Sequence, residues 1–234
     1  MNVAHGEVHI WRIGLDCAAS TIAALWAELS QEEQERARRF QLAASRNRWI
    51  VARGALRRVL GSYLQSAPSA LKFRISAFGK PELVWPSETI SFNLAHSCDL
   101  ALLAVCNSGC VGVDAEYIDD SVEVEEIIRS LFAHAETNAI LALPRNQWRS
   151  AFFTTWTRKE AFIKALGAGL SLPLHQFVVT VDPEKPARLI STDRDDPSRW
   201  SLMDLTEPHV AAAVATEGEL PIVRRLQFTP SPNT

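Results

Sequence analysis

The sequence predicts an α+β fold in which long helices accompany several short strands. The segment EVHIWRI (7–13) alternates apolar and polar residues, as half-buried strands do. Apolar positions at helical spacing in 45–65 and 147–166 predict two long helices. With 234 residues, of which 47% are hydrophobic and 22% charged, the chain can bury a core in one large domain or two smaller ones.

The first part of the chain is predicted to continue with helices and short strands. Residues 21–39 have a helical pattern, and the capping-box spacing of Ser30 and Glu33 predicts that a second helix begins there. The remaining elements of this part are a helix at 45–65, a strand at 71–76, a turn in FGKPEL (78–83) and a strand in ISFNLAHS (90–97).

A β-hairpin is predicted where the first part of the chain passes into the second. Two apolar runs, 100–106 and 110–118, are separated by a short turn that contains Asn, Ser and Gly. Helices follow at 121–131, 134–142 and 147–166, the last ended by Gly167 and Gly169, and then strands at 177–181, 187–190, 200–205 and 209–216. Because both parts run through helices and short strands in a similar order, the sequence suggests two duplicated α+β halves.

Several classes of protein are excluded by simple features of the sequence. The longest apolar run, Leu100 to Cys106, is too short to span a bilayer, and the N-terminus lacks the pattern of a secretory signal. The four cysteines have no zinc-like spacing, so we expect reduced core thiols in a cytoplasmic protein. A net charge of −3 argues against a polybasic nucleic-acid binder. We therefore expect neither a membrane nor a nucleic acid as partner.

The charges are nonetheless segregated along the chain. Eight arginines and no acidic residue lie between Arg36 and Arg58, whereas seven acidic residues and no Lys or Arg lie between Asp114 and Glu126. Arginine guanidinium groups match phosphate oxygens, and clustered carboxylates are ligands for hard cations. The alternative is that both segments are solvated helix faces.

The motif GVDAE (112–116) places two carboxylates side by side. In a strand, residues two apart share a face, so Asp114 and Glu116 project together while Ala115 points away. Two adjacent carboxylates repel each other unless a cation lies between them, and oxygen ligands favour Mg²⁺ or Mn²⁺ over zinc. The alternative is a solvent-exposed strand end.

The segment FFTTWTRKEAFIKALGAGL (152–170) predicts a partly buried helix rich in aromatic residues. Glu160 and Lys164 are four residues apart and therefore lie on one face. They form either an exposed ion pair or a third metal carboxylate followed by a phosphate donor one turn along. Two further polar residues, Lys80 of FGKP (78–81) and His96 of FNLAHS (92–97), stand at a tight turn and a strand end.

Together these motifs resemble the 4′-phosphopantetheinyl transferases of the monomeric type that activate peptide synthetases such as surfactin synthetase. FGKP, FNLAHS, GVDAE and WTRKEAFIKALGAGL occur in the order and spacing of that family across residues 30–175. The resemblance implies two similar α+β halves, related by a pseudo-twofold axis, with the active site in the cleft between them. We place an N-terminal half that binds the coenzyme A phosphates at 1–108, a C-terminal half with the metal and the catalytic helix at 109–228, and a tail at 229–234.

The resemblance also implies a reaction. Such an enzyme transfers the 4′-phosphopantetheine arm of coenzyme A to a serine of an apo acyl or peptidyl carrier protein and releases adenosine 3′,5′-bisphosphate. It requires Mg²⁺, with Mn²⁺ as an alternative metal. The partners implied are the carrier protein and coenzyme A, and the implied oligomeric state is a monomer.

Residue by residue, the family's metal ligands correspond to Asp114, Glu116 and Glu160, and its pyrophosphate lysine to Lys164. The catalytic residues are then Asp114, Glu160 and Lys164, with either Glu160 or a water beside the metal as the base that accepts the serine proton. The implied coenzyme A-binding residues are Arg48, Gly79, Lys80, Pro81, Asn93, His96 and Lys164.

Three of these assignments carry a specific role. His96 matches a histidine that contacts the phosphates of coenzyme A, and Lys80 matches a lysine near the nucleotide. Arg48 corresponds to an arginine for the 3′-phosphate, but Arg46 remains an alternative because Ser45 stands where the family often has an acidic residue.

Two other functions remain open from the residues alone. The first is a metal-dependent phosphodiesterase or nuclease, since Asp-x-Glu together with Glu-x-x-x-Lys also describes such a site. The second is a non-catalytic protein that binds nucleotides through the arginine segment, which leaves GVDAE and Glu160 unexplained.

Overall fold

A computed structural model describes residues 1–76, 79–86, 90–107, 109–167, 169 and 172–230. It confirms a mixed α+β fold and most of the predicted elements. The first part contains β1 (Glu7–Gly14), α1 (Ala19–Ala27), α2 (Gln31–Arg38), α3 (Ala43–Leu64), β2 (Lys72–Ile75), β3 (Pro81–Trp85), β4 (Ser91–Ser97) and β5 (Leu100–Cys106). The second part contains β6 (Val111–Tyr117), α4 (Val124–Leu131), α5 (His134–Leu141), α6 (Trp148–Leu166), β7 (Phe177–Val179), β8 (Leu189–Thr192), β9 (Trp200–Asp204), β10 (Val210–Glu217) and β11 (Ile222–Phe228).

Local sequence signals explain several element boundaries. The predicted capping box is present, because the Ser30 hydroxyl accepts from the amide of Glu33 and the Glu33 carboxylate accepts from the amide of Ser30. Helix α6 ends at Leu166 and is followed by Gly167, whose φ of 68° is left-handed and therefore favours glycine. The predicted turn at 78–83 is only partly described, since Phe78 is not among the described residues, and Pro81 already belongs to β3.

Two sheets pack face to face, and a long helix covers the outer face of each. The first sheet has the strand order β11-β1-β5-β4 and the second β6-β10-β9. One apolar cluster lies between the first sheet and helices α1 and α3, a second lies between the two sheets, and a third lies between the second sheet and α6. The layers are therefore helix, sheet, sheet, helix, and burial of the apolar faces between them stabilises the stack.

The predicted hairpin of 100–106 and 110–118 is wrong. Strand β5 pairs with β1 on one side and β4 on the other, and β6 pairs with β10 in the other sheet. Every residue of β5 is buried because both of its faces are covered, so it has neither a free edge nor an exposed face. The chain crosses from one sheet to the other between Cys106 and Val111.

The last strand lies in the sheet of the first part. Strand β11 pairs in parallel with β1, from Glu7 opposite Ile222 to Ile13 opposite Phe228. A segment that we assigned to the C-terminal half thus extends the first sheet. The boundaries at 108 and 228 remain a prediction.

Three arginines of the arginine segment are paired with acidic residues that precede the segment. Glu33 accepts from Arg53 and Arg57 at 2.5 and 2.7 Å, and Glu28 pairs with Arg58. The side chain of Arg57 is almost fully buried. Arg53, Arg57 and Arg58 therefore do not form the solvated helix face that a charge run usually indicates. The charges of Arg53 and Arg57 are balanced mainly by Glu33.

Two further expectations can be compared with the described residues. Cys106 is buried, but Cys98 and Cys110 are exposed, so the prediction of core thiols is wrong for those two. No helix in the described part of the chain is long and apolar enough to cross a membrane.

A buried ion pair inside the second part predicts a large effect on stability. The ammonium of Lys159 lies 2.8 Å from Glu136, and both side chains are fully buried. Burial lowers the pKa of Lys159 to about 8 and raises the pKa of Glu136. Removing one partner leaves an uncompensated charge, so Lys159→Met is expected to reduce the free energy of unfolding by about 3–5 kcal/mol in urea denaturation.

The matched control for this variant is Lys185→Met, since Lys185 is an exposed lysine in a surface ion pair. Its expected effect is within about 0.5 kcal/mol. A loss of less than about 1 kcal/mol for Lys159→Met would show that Glu136 is stabilised without its partner.

Candidate active site

Strand β6 presents its two carboxylates to the outer helix. Ala115 faces the core between the sheets, whereas Asp114 faces α6, as the strand alternation predicts. Asp114 is opposite Ala213 and Glu116 is opposite Ala211 on β10. The alanines of β10 leave a flat, small-residue surface on which α6 can lie.

A glycine sets how closely helix α6 approaches this strand. A Cβ atom at Gly112 would overlap the carbonyl of Ala161 and the amide nitrogen of Ala165 in α6. Gly112 is therefore required for backbone contact between β6 and α6, a close approach that only glycine permits. It was not among the predicted site residues, although its place in GVDAE was the available signal.

This contact brings Lys164 onto Asp114. The ammonium nitrogen of Lys164 lies 2.5 Å from Asp114 Oδ1. The other oxygen, Oδ2, is buried and lacks a hydrogen-bond partner among the described residues. A buried carboxylate oxygen without a partner is costly, so it marks a place where a ligand would be favourable.

Glu116 and Glu160 both interact electrostatically with Asp114. The Ser97 hydroxyl donates to Glu116 Oε2 at 2.7 Å and also accepts from the amide of Tyr117. Burial raises the pKa values of Asp114, Glu116 and Glu160. The charges of Asp114 and Glu116 raise the pKa of Glu160 further, so the three groups interact and would ionise more readily beside a cation.

These residues fit a divalent cation in chemistry, but their side chains are not drawn together around one point. The donor set consists of carboxylate oxygens, which suit Mg²⁺ or Mn²⁺, and Asp114 Oδ2 is available. However, no group of three His, Cys, Asp or Glu side chains in the described ranges is arranged to hold a metal. Lys164 and Ser97 already engage one oxygen each of Asp114 and Glu116.

A large cleft in the first part of the chain contains three of the predicted coenzyme A-binding residues. The cleft has a volume of about 960 Å³, and Gly79, Pro81 and His96 line it. Arg36 and Lys72 are exposed cations on the same lining. His96 also favours the ionised form of Asp114 electrostatically, so this lining residue lies near the carboxylates.

The other predicted coenzyme A-binding residues lie outside this lining. Arg48 pairs through two hydrogen bonds with the exposed Asp16, at 2.8 and 3.1 Å. Asn93 is buried, and its oxygen accepts from the amide of Val113. The ammonium of Lys80 donates to two backbone carbonyls near the carboxylates.

Comparison with known proteins gives this geometry a family. Residues 110–215 match the family model described as the 4′-phosphopantetheinyl transferase superfamily, and residues 16–108 match the model described as 4′-phosphopantetheinyl transferase, N-terminal. The chain is similar to the 4′-phosphopantetheinyl transferase HetI of Nostoc sp., with 37% identity over 215 residues, 91% of this chain and 88% of that protein. The chain belongs to the 4′-phosphopantetheinyl transferase family.

Other relatives agree with this assignment. The 4′-phosphopantetheinyl transferase Sfp of Bacillus subtilis is 26% identical over 194 residues, 82% of this chain and 84% of that protein. The phosphopantetheinyl transferase of Thraustochytrium sp. is 31% identical over 212 residues, 85% of this chain and 73% of that protein. The enzyme is therefore a phosphopantetheinyl transferase, which acts on coenzyme A and carrier proteins, and the two alternative functions find no support.

Proposed function

We propose that this phosphopantetheinyl transferase moves the 4′-phosphopantetheine arm of coenzyme A onto a serine hydroxyl of an apo acyl or peptidyl carrier protein in a Mg²⁺-dependent reaction. Adenosine 3′,5′-bisphosphate is the second product. One observation carries the proposal beyond the family: Asp114 has a buried oxygen that no described residue hydrogen-bonds, and it stands directly beside the ammonium of Lys164. A carboxylate and an ammonium placed together suit a pyrophosphate and its counter-cation.

Coenzyme A would lie in the cleft of the first part with its pyrophosphate directed toward β6. Gly79 and Pro81 line the cleft, and its exposed charged residues are Arg36 and Lys72 together with Glu32 and Glu35. His96 supports this orientation, because it lines the cleft and is within electrostatic range of Asp114. Hydrogen bonds from cationic side chains to phosphate oxygens are stronger than hydrogen bonds between neutral groups.

The carboxylates would hold the metal. Asp114 offers Oδ2, Glu116 is kept in place by Ser97, and Glu160 would complete the set. When bound, Mg²⁺ or Mn²⁺ neutralises the negative charge of the pyrophosphate and of the departing bisphosphate. Manganese is an alternative because its ligand preferences are close to those of magnesium.

The chain's own residues would move the protons. The Lys164 ammonium donates to Asp114 Oδ1. It would also stabilise the negative charge of the departing phosphate and is able to donate a proton to it. Glu160, or a water beside the metal, would accept the proton of the serine hydroxyl. Positioning and charge neutralisation supply most of the acceleration in reactions of this type.

Intact-mass spectrometry of apo carrier proteins tests this proposal. After incubation with coenzyme A and Mg²⁺, a carrier should gain one phosphopantetheine, and adenosine 3′,5′-bisphosphate should appear in equal amount. A panel of fatty-acid, polyketide and peptide-synthetase carriers would also identify the partner. Cleavage of plasmid DNA under the same conditions, with every carrier unmodified, would instead support the phosphodiesterase function.

The residue that holds the 3′-phosphate can be identified from kinetics. Arg48 is half-exposed, and its pair with Asp16 is a surface pair that a phosphate could replace. Arg48→Ala is expected to raise the KM for coenzyme A about tenfold and to change kcat less, because a charge-assisted hydrogen bond is lost. The measurement is steady-state kinetics with coenzyme A and with dephospho-coenzyme A, which lacks the 3′-phosphate.

Arg46→Ala and Arg36→Ala are the comparison variants. If Arg48 holds the phosphate, its defect shrinks on dephospho-coenzyme A, whereas the defects of the others do not depend on the substrate. An equal defect of Arg48→Ala on both substrates would contradict the assignment. A substrate-dependent defect in Arg36→Ala alone would transfer the role to that cleft residue.

We further propose that the enzyme is of the monomeric type represented by Sfp and that it acts in the cytoplasm. Both family models match within this one chain, and the similarity to Sfp extends over most of both proteins. One copy therefore contains the equivalents of both halves. Neither a membrane nor a nucleic acid is needed for the proposed reaction.

A further inference from the structure

The side chain of Lys80 joins the catalytic helix to the carboxylate strand. Its ammonium nitrogen donates to the carbonyl of Lys164 at 2.8 Å and to the carbonyl of Val111 at 3.3 Å. The turn that carries Lys80 is closed by Ser76, whose hydroxyl accepts from the Lys80 amide and whose amide donates to the Lys80 carbonyl. The backbone of Lys80 is therefore bonded to Ser76 at both its amide and its carbonyl.

The first of these contacts lies at the C-terminus of α6. Lys164 is in the last turn of the helix, which ends at Leu166. The last four carbonyls of a helix have no partner within it, and the negative end of the helix dipole attracts a cation there. Lys80 thus supplies both a donor and a positive charge to the end of the helix that carries Glu160 and Lys164.

The second contact lies at the start of β6. Val111 precedes Gly112, where the strand and the helix touch, and is three residues from Asp114. A single ammonium therefore bonds the strand that bears Asp114 and the helix that bears Lys164. The Lys164–Asp114 ion pair spans the same junction from its other side.

We infer that Lys80 is a positioning residue, which caps α6 and holds it on β6 so that Lys164 meets Asp114. Its ammonium is committed to this junction rather than to the phosphates of coenzyme A. The inference rests on the proposed function, because the junction matters through the transfer reaction. It differs from the role that the sequence resemblance implies for Lys80, and the two roles have different kinetic consequences.

A positioning role predicts a loss of kcat with little change in substrate binding. Lys80→Met keeps the aliphatic chain and removes the ammonium, so α6 should loosen and kcat should fall about tenfold or more, while the KM for coenzyme A changes less than about twofold. Hydrogen–deuterium exchange of the segment 160–167 should be faster than in the wild type, without substrate present. Lys80→Arg, which retains charge and donors, should recover a large part of both effects.

Lys185→Met is the matched control, since it removes a lysine ammonium from an exposed surface pair, and it should leave kcat and exchange unchanged. A rise in the KM for coenzyme A with kcat and exchange unaltered would overturn the inference and make Lys80 a ligand of the cofactor. Wild-type values of kcat and exchange in Lys80→Met would overturn it as well. If Lys80→Met does not fold, Lys80→Arg and Lys80→Gln are compared in the same way, and equal defects in both would contradict the capping role.

The exchange measurement separates this inference from the proposed function. It is made on the free protein, so it reports on the junction whether or not any carrier is modified. The wild type could fail to modify any carrier while Lys80→Met still exchanges faster than the wild type over 160–167. That result would reject the proposed function but not this inference.

Discussion

Replacement of Asp114 by asparagine is expected to lower the rate of carrier modification by at least about a thousandfold while the protein remains folded. The amide retains the shape of the side chain but cannot balance the charge of a bound cation or of Lys164. Burial raises the pKa of Asp114, which means that its ionised form is disfavoured in the folded protein. Asparagine removes a charge that burial disfavours, and the Lys164 ammonium is partly exposed and can be solvated, so the melting temperature should change little.

The control for this variant is Asp120→Asn, because Asp120 is an exposed acid of the same acidic segment. It should keep full activity. Glu160→Gln should behave like Asp114→Asn, since Glu160 is a proposed metal ligand and base. Activity within about tenfold of the wild type in either variant, in magnesium buffer, would remove that residue from the catalytic machinery.

A methyl group at Gly112 is expected to disable the enzyme through geometry rather than through charge. The added Cβ would overlap the backbone of α6 at Ala161 and Ala165, so the helix must move away from β6. Overpacking of this kind costs about 1–3 kcal/mol of stability. Because Lys164 and Glu160 move with the helix, kcat/KM should fall about a hundredfold, the usual effect of a displacement near 1 Å in a catalytic group.

Gly14→Ala is the matched control for this substitution. Gly14 ends β1, and an added Cβ there meets no atom within 4 Å. Its stability and kcat/KM should stay close to those of the wild type. If Gly112→Ala also retained kcat/KM within about threefold, the close contact between β6 and α6 would not determine the geometry of the active site.

Much of the fold could be predicted from local patterns. The alternation in β1, the capping box at Ser30 and the glycine end of α6 each depend on neighbouring residues, so the sequence is sufficient to identify them. The shared face of Asp114 and Glu116 follows in the same way from strand geometry.

The pairing of the strands could not be predicted in this way. The apolar runs 100–106 and 110–118 look like adjacent hairpin strands, yet they lie in different sheets. An apolar run indicates that both faces are buried but carries no information on which strand is its neighbour. The parallel pairing of β11 with β1 joins the two ends of the chain and is equally invisible to a local pattern.

The roles of individual charges depend on tertiary contacts as well. The arginine segment contains no acidic residue, but Glu28 and Glu33 reach it from helices that precede it. In α6, Arg158 and Lys159 point into the core, while Lys164 on another face meets Asp114. Spacing along the helix separates these faces. The close contact at Gly112 is what places the face with Lys164 against the carboxylates.

A crystal structure with coenzyme A and Mn²⁺ tests the central claim most directly. The account predicts an anomalous manganese peak bound to Asp114 and to at least one of Glu116 and Glu160, with the pyrophosphate of coenzyme A beside Lys164 and its nucleotide in the cleft lined by His96. A peak that does not contact Asp114, or coenzyme A bound away from the junction of β6 and α6, would contradict it.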